Sequence, residues 1–328
     1  AAIVESIFAA CSDCDCFYVD TREGLGGSPG VRAAYGETLL AAVAAAWPRR
    51  RAGVIVGMDR HTISCNNASD DPYGYHYGVS MAQAAGAEAL IVYTRKFMAM
   101  CPQFRAKMFL LPQYARNTPS KAMLAAREAA MERRMAALAA GRRHIGIFGG
   151  GRSGRDFETL TAAVRRVPGI LLRIYTGGLP VESCDASVPC VVMAAVSRSD
   201  FERAMDGALL VAVPISAGAK PAAGLSTLYT AMRRGKLVAI TDRGDGLCDG
   251  LFDDGVDGFR VPPGDIGAWQ SLIEHLLAVG VASLRERERR VFARARRELS
   301  REAVADALLG RAAPYCAATR AIRRGEQK

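Results

Sequence analysis

The sequence predicts an α/β protein built on doubly wound parallel sheets, and three observations carry that expectation. Short runs rich in Val, Ile and Leu recur, among them AGVIVG (52–57), HIGIF (144–148) and LLVAV (209–213). They are apolar without alternation, as strands covered on both faces must be. Between such runs lie stretches with apolar residues at helical spacing, such as Phe157, Leu160, Thr161 and Val164. Half of the 328 residues are hydrophobic and 23% are charged, which suits one large or two ordinary cores and excludes a disordered or collagen-like chain.

Element by element, residues 38–46 (TLLAAVAAA) favour a helix ended by Pro48, and 52–57 follow as a buried strand. The polar, turn-rich stretch 66–76 reads as a loop. A helix-compatible segment, Val79–Gly86, leads into strand Ala89–Tyr93, and Lys107–Leu111, stopped by Pro112, is a third strand. Thr118 and Pro119 suit the start of a helix that runs to about Gly141 and connects two halves. Strand 144–148, helix Asp156–Arg166 and strands Ile170–Tyr175 and Cys190–Met193 follow. Ser199 is placed to cap a helix ending at Ala208, which passes directly into strand Leu209–Val213. Helix Ser226–Arg234 ends at Gly235, strand Leu237–Thr241 comes next, and Asp265 caps a helix with Trp269, Leu272, Ile273, Leu276 and Leu277 on one face. The expected domains are 1–118, a connecting helix at 119–142, 143–280, and basic helices over 281–328.

A sheet of this kind binds ligands in the loops after its strands, and two such loops carry anion chemistry. The first, GGGRSGRDFETL (149–160), joins small residues and the Ser153 hydroxyl to the guanidinium groups of Arg152 and Arg155, whose fork suits phosphate oxygens. A helix beginning near Asp156 points its positive end at the same place. The segment is neither a P-loop nor a dinucleotide fingerprint; a plain strand-to-helix turn with exposed arginines is the alternative. The second, PAAGLSTLYTAMRRGKLVAIT (221–241), delivers Gly224, Leu225, Ser226 and Thr227 to a helix start, where free amides and two hydroxyls form an anion site without a metal. Ser226 also reads as an ordinary N-cap.

The run from Leu209 to Asp265 resembles the nucleotide-sugar-binding half of GT-B glycosyltransferases, closest to the retaining family 4, "glycosyl transferases group 1". Ala231-Met232-Arg233-Arg234-Gly235, Asp257-Gly258-Phe259 and Val261-Pro262-Pro263-Gly264-Asp265 carry the likeness. Upstream, Gly151-Arg152 and Arg155 resemble the basic segment that holds the donor diphosphate in that family. The resemblance covers roughly residues 107–280. It implies two Rossmann-like doubly wound sheets, the amino-terminal one short or incomplete, since about 115 residues precede the connecting helix. It implies transfer of a sugar from a nucleotide-diphosphate sugar, retaining and metal-independent, with no cofactor. Arg152, Arg155 and His61 are then the expected catalytic residues, and Gly150, Gly151, Ser153, Ser197, Gly224, Leu225, Ser226, Thr227 and Thr230 the donor-binding ones.

Where the family carries two glutamates in the donor loop and its helix, this chain has Ala222 and Thr230. A catalytically inactive GT-B-like module that binds a nucleotide or glycan is the alternative this departure raises. His61 and His76 are the acceptor-side histidine candidates, each also readable as an ordinary surface histidine. Cys11, Cys14 and Cys16 form a C-x-x-C-x-C cluster without an evident fourth zinc ligand, and Asp242, Asp245, Asp253 and Asp254 read as solvated turn carboxylates.

The acceptor, a glycan or a lipid, is not encoded in any local pattern. Residues 281–328 hold 13 Lys/Arg against 6 Asp/Glu, so most of the net charge of +10 lies there. Such a face is either simply solvated or attracted to an anionic membrane surface. No aromatic stacking motif is interleaved with it, so specific nucleic-acid binding is not expected. Nine scattered cysteines and the absence of a basic-then-apolar start at Ala1 suggest reduced thiols in the cytoplasm.

Overall fold

Parallel pairing organises both parts of the chain. The computed structural model describes residues 16–20, 53–57, 89–92, 95–100, 102–110, 121–140, 145–150, 154–175, 190–193, 197–219, 223–244, 246, 248–300, 303–304, 306–307 and 310–311. Two compact units result: Ala1–Pro112 with Ala305–Lys328, and Gln113–Val304. The expected helices at 38–46 and Val79–Gly86 and the expected loop at 66–76 lie outside the described residues.

In the first unit, strands β1 (Cys16–Asp20), β2 (Gly53–Gly57), β3 (Ala89–Val92) and β4 (Met108–Leu110) pair in parallel in their sequence order. Leu90, Ile91 and Val92 are fully buried, as an apolar run without alternation requires. Helix α1 (Arg95–Met100) and a 3₁₀ turn (Pro102–Lys107) link β3 to β4. Cys16, one of the clustered cysteines, opens β1. The Arg311 guanidinium donates to the Leu110 carbonyl at the end of β4.

The second unit begins with α2 (Lys121–Ala139), then alternates β5 (Ile145–Gly150), α3 (Phe157–Arg165), β6 (Ile170–Tyr175), β7 (Cys190–Met193), α4 (Arg198–Gly207), β8 (Leu210–Val213), α5 (Leu225–Arg233), β9 (Val238–Thr241), β10 (Phe259–Val261), α6 (Ile266–Ala278) and α7 (Val281–Glu298). Its six strands run β10-β9-β8-β5-β6-β7, all parallel. Counted within the unit this is the order 3-2-1-4-5-6 read from its β7 edge, the doubly wound arrangement with a reversal between β5 and β8. The chain moves one way across the sheet from β5 to β6 and the other way from β8 to β9. Right-handed crossovers therefore put α3 and α5 on opposite faces. Accordingly α3 packs with α6, while α2, α4, α5 and α7 pack with one another. Every residue of β8 and β9 is buried between these layers.

Helix α4 starts earlier than Ser199 suggests. Its N-cap is Ser197, whose Oγ accepts the Asp200 amide at 3.1 Å. The box Ser197-x-x-Asp200 supplies an acceptor to the third residue on, which Ser199 cannot do from inside the helix.

The face formed by α2, α4, α5 and α7 hides an ionic network around the carboxyl end of α5. Arg234, the C-cap of α5, forks onto Asp206 of α4 (Nε to Oδ1 2.7 Å, with a second bond from Nη2 to Oδ2) and reaches Glu202 at 3.0 Å. Arg127 of α2 donates to the Arg234 carbonyl at 2.7 Å and lies 4.2 Å from the Phe292 ring centroid. Glu288 of α7, 2% exposed, is bound by Arg134 of α2 and, at 2.8 Å, by Lys236. Cations at the carboxyl end of α5 complement its dipole, so the network anchors the helix end opposite the candidate site.

Candidate functional site at the strand-order reversal

Where neighbouring strands send their connections in opposite directions, a crevice opens at their carboxyl ends. Here those strands are β5 and β8, and the two turns singled out by the sequence follow them. The turns are laced together: Asp156 donates its amide to the Pro214 carbonyl (3.2 Å), Ser216 donates to Gly154 (3.1 Å), and Arg155 pairs antiparallel with Ile215. Gly154, at φ +61°, presses so closely that a Cβ there would lie 2.4 Å from the Ala219 Cβ.

Helix α5 begins beside this seam. Gly224 is its N-cap at φ +93°, without any side-chain capping bond. A helix start leaves its first-turn amides without intrahelical acceptors, so Leu225, Ser226 and Thr227 present theirs toward the sheet's rim. Ser226 is exposed and Thr227 is buried. The Arg155 guanidinium reaches across from the other turn and donates to Thr227 Oγ1 at 3.4 Å. Arginine, hydroxyl and an uncapped helix start thus meet in one place, an arrangement that attracts an anion.

The start of α3 is different. Asp156 caps it, accepting the Thr159 amide at 3.0 Å and the Thr159 hydroxyl at 2.7 Å. Its positive end is already met by a carboxylate, so of the two helix starts the α5 end is the open one.

Several other expected residues fall into place. Thr230, one turn into α5, donates its hydroxyl to the Ser226 carbonyl at 2.7 Å, which leaves it only acceptor capacity. Gly150 ends β5, paired with Tyr175. Ser197 follows β7, the edge strand, and its hydroxyl serves the cap of α4, 2.6 Å from Asp200 Oδ2. It does not join Arg155 and Thr227. Gly151, Arg152, Ser153, His61, His76, Cys11, Cys14 and Ala222 lie outside the described residues. Of the turn carboxylates, Asp245 lies outside the described residues, and the other three have cationic or amide partners: Asp242 accepts Arg260 at 3.2 Å and the Gly244 amide at 2.9 Å, Arg294 binds Asp253 at 2.6 Å, and Asp254 accepts the Arg260 amide at 2.8 Å.

Sequence reasoning passed over Arg243, which follows β9. Its Nη1 donates to the Ala219 carbonyl at 2.6 Å, and Thr241 Oγ1 accepts the Ile215 amide at 2.9 Å. An arginine after a strand among Asp and Gly gave no signal of this, because the carbonyl it reaches lies 24 residues away in sequence.

No protein-family model matches the chain, and no curated protein matches it in sequence. Solved structures do. HepE from Anabaena, in complex with UDP and glucose, superposes with a TM-score of 0.56 at 13% identity, covering 95% of this chain and 81% of that one. Sucrose-phosphate synthase from Thermosynechococcus elongatus gives 0.58 at 16% identity, covering 96% and 78%. A glycosyltransferase from Rickettsia africae gives 0.59 at 12% identity, covering 96% and 79%. The fold is GT-B. At these identities the likeness establishes the GT-B architecture and leaves chemistry to the residues at the site. Among the described residues no helix is long and apolar enough to cross a membrane.

Proposed function

We propose that the chain is a glycosyltransferase that moves a sugar from a nucleotide-diphosphate sugar to a glycan or lipid acceptor, retaining anomeric configuration, without a metal ion. The observation that carries this reading is Arg155 donating to Thr227 at the uncapped start of α5, at the reversal of strand order. The HepE structures bound to UDP and to UDP-glucose support it by analogy of fold. In this reading the bond between the anomeric carbon and the diphosphate oxygen breaks with its electron pair leaving on the diphosphate. The acceptor oxygen bonds to the same face and passes its proton to the departing diphosphate oxygen. Arg155 and the amides of Leu225, Ser226 and Thr227 stabilise the charge as it gathers on the leaving group, the kind of fixed donor set that supplies the largest part of many rate enhancements. Gly150, Gly151, Arg152 and Ser153 complete that cradle, Ser197 and Thr230 bind farther along the donor, and His61 serves the acceptor side.

Thermal shift with uridine, guanosine and adenosine diphosphates tests donor binding, since a ligand of the folded state raises its melting temperature. At least one is expected to do so at millimolar concentration; silence from all three rejects the reading. Donor hydrolysis then compares wild type with Arg155→Ala, with a loss of about 100-fold expected. Equal turnover removes Arg155 from the role.

A second reading, a non-catalytic GT-B module that binds nucleotide or glycan, is favoured by one feature. Helix α5 carries no carboxylate, and the Thr230 hydroxyl already donates within the helix. Nucleotide binding without hydrolysis or transfer by the wild-type protein distinguishes it.

A further inference from the structure

The turn between β8 and α5 is fixed from two sides. On the β5 side, Gly154 accepts the Ser216 amide and packs against Ala219. On the β9 side, Thr241 holds Ile215 at the turn's beginning. Within the turn, Ala219 donates its amide to Ser216 at 3.0 Å. Its carbonyl receives the Arg243 guanidinium at 2.6 Å, and a charged donor makes that bond roughly twice as strong as a neutral one. Ala219 is also the residue against which Gly154 has no room for a methyl group, so its placement decides whether the two turns seat on each other.

We propose that Arg243 is a positioning residue for the β8–α5 turn: by holding the Ala219 carbonyl it seats the turn on Gly154 and fixes where α5 presents its first amides beside Arg155. Its value to a ligand rests on the donor-diphosphate reading above; its hold on the turn does not. Arg243 acts through the backbone and touches no phosphate. It thus differs from Arg155, whose charge faces the anion.

Inorganic pyrophosphate is the probe, with affinity measured by calorimetry across a range of salt and amide hydrogen exchange followed over residues 214–228. In Arg243→Ala, exchange at Ser216 and Ala219 is expected to quicken and pyrophosphate affinity to fall about tenfold. The steepness of its salt dependence stays as in wild type, because no ligand-facing charge is lost. Arg243→Lys retains a donor for the same carbonyl and is expected to recover most of both losses. Unchanged exchange in Arg243→Ala overturns the proposal whatever the affinity does. A flattened salt dependence overturns it in favour of direct contact with the anion. If wild type binds no pyrophosphate, the donor reading fails, and faster exchange in Arg243→Ala still upholds the hold on the turn. If Arg243→Ala does not fold, the exchange pattern of Arg243→Lys decides, with wild-type protection supporting the hold and lost protection overturning it.

Discussion

At φ +93°, Gly224 holds a backbone conformation that costs an L-residue about 1–2 kcal/mol. A methyl group there would lie 2.8 Å from both Ile215 Cδ1 and Val213 Cγ1, adding about 1–3 kcal/mol of overpacking. Gly224→Ala is therefore expected to lower stability by about 2–5 kcal/mol in urea unfolding and to weaken nucleotide binding with it. Thr227→Val tests a single hydroxyl. It keeps the shape of a buried side chain but removes the hydroxyl that Arg155 reaches, so affinity for a nucleoside diphosphate is expected to drop several-fold, with stability changed by about 1 kcal/mol. Gly224, Ser226 and Thr227 were legible as candidates for the site because small residues before a helix start have a local meaning. Arg243 and the Thr230-to-Ser226 bond were not, since both depend on which carbonyl a side chain finds after folding.

The elements around α5 behave as a set because their contacts are charged and dry. Lys236 is 1% exposed, and burial, aided by the neighbouring Arg134, draws its amine down from 10.5 to about 7 despite the Glu288 partner. Between those pH values the unfolded chain holds a proton that the folded chain has released. Stability from this group therefore rises as pH climbs from about 7 to 10.5, and the cost of the buried charge is fully felt below about 7. Lys236→Met is expected to flatten that rise, read as the difference between the two proteins' urea midpoints across pH 6–10. Glu288→Ala leaves Arg134 and Lys236 buried without their shared carboxylate and is expected to cost about 3–5 kcal/mol. Sequence pattern identified eight of the ten described strands to within about two residues of their ends, for β-branched apolar runs leave little choice, but it passed over β1 and the three-residue β10. It did not identify this network. Arginines and lysines in a helix read as solvent-facing, and a charge declares its burial only through partners on other helices. The start of α4 moved from Ser199 to Ser197 for a similar reason, since either serine fits composition and only the Asp200 amide chooses.

At the scale of the molecule, the decisive feature is the order of strands in the second sheet. The apolar runs predicted parallel strands covered on both faces, and the GT-B architecture agrees with them. Their order follows from crossovers and pairing that no single run encodes, and with it the crevice between β5 and β8. A ligand seated there binds the folded chain alone. At a nucleoside diphosphate concentration 100 times its dissociation constant, the protein is expected to gain about 2.7 kcal/mol against unfolding, measurable as a raised urea midpoint. The charged anchor gives α5 a mechanical character. The helix has nine residues, about 13 Å of rise, clamped at its far end by carboxylates and guanidinium groups and open at the rim. It is a short strut braced at both ends, by that anchor and by the turn seated on Gly154. On the proposed donor-diphosphate reading, substitutions at Asp206 or Arg127, about a helix length from Gly224, shift the strut at its rim end, and selection acting on those remote positions has a route to tune affinity while leaving every ligand-touching atom as it is.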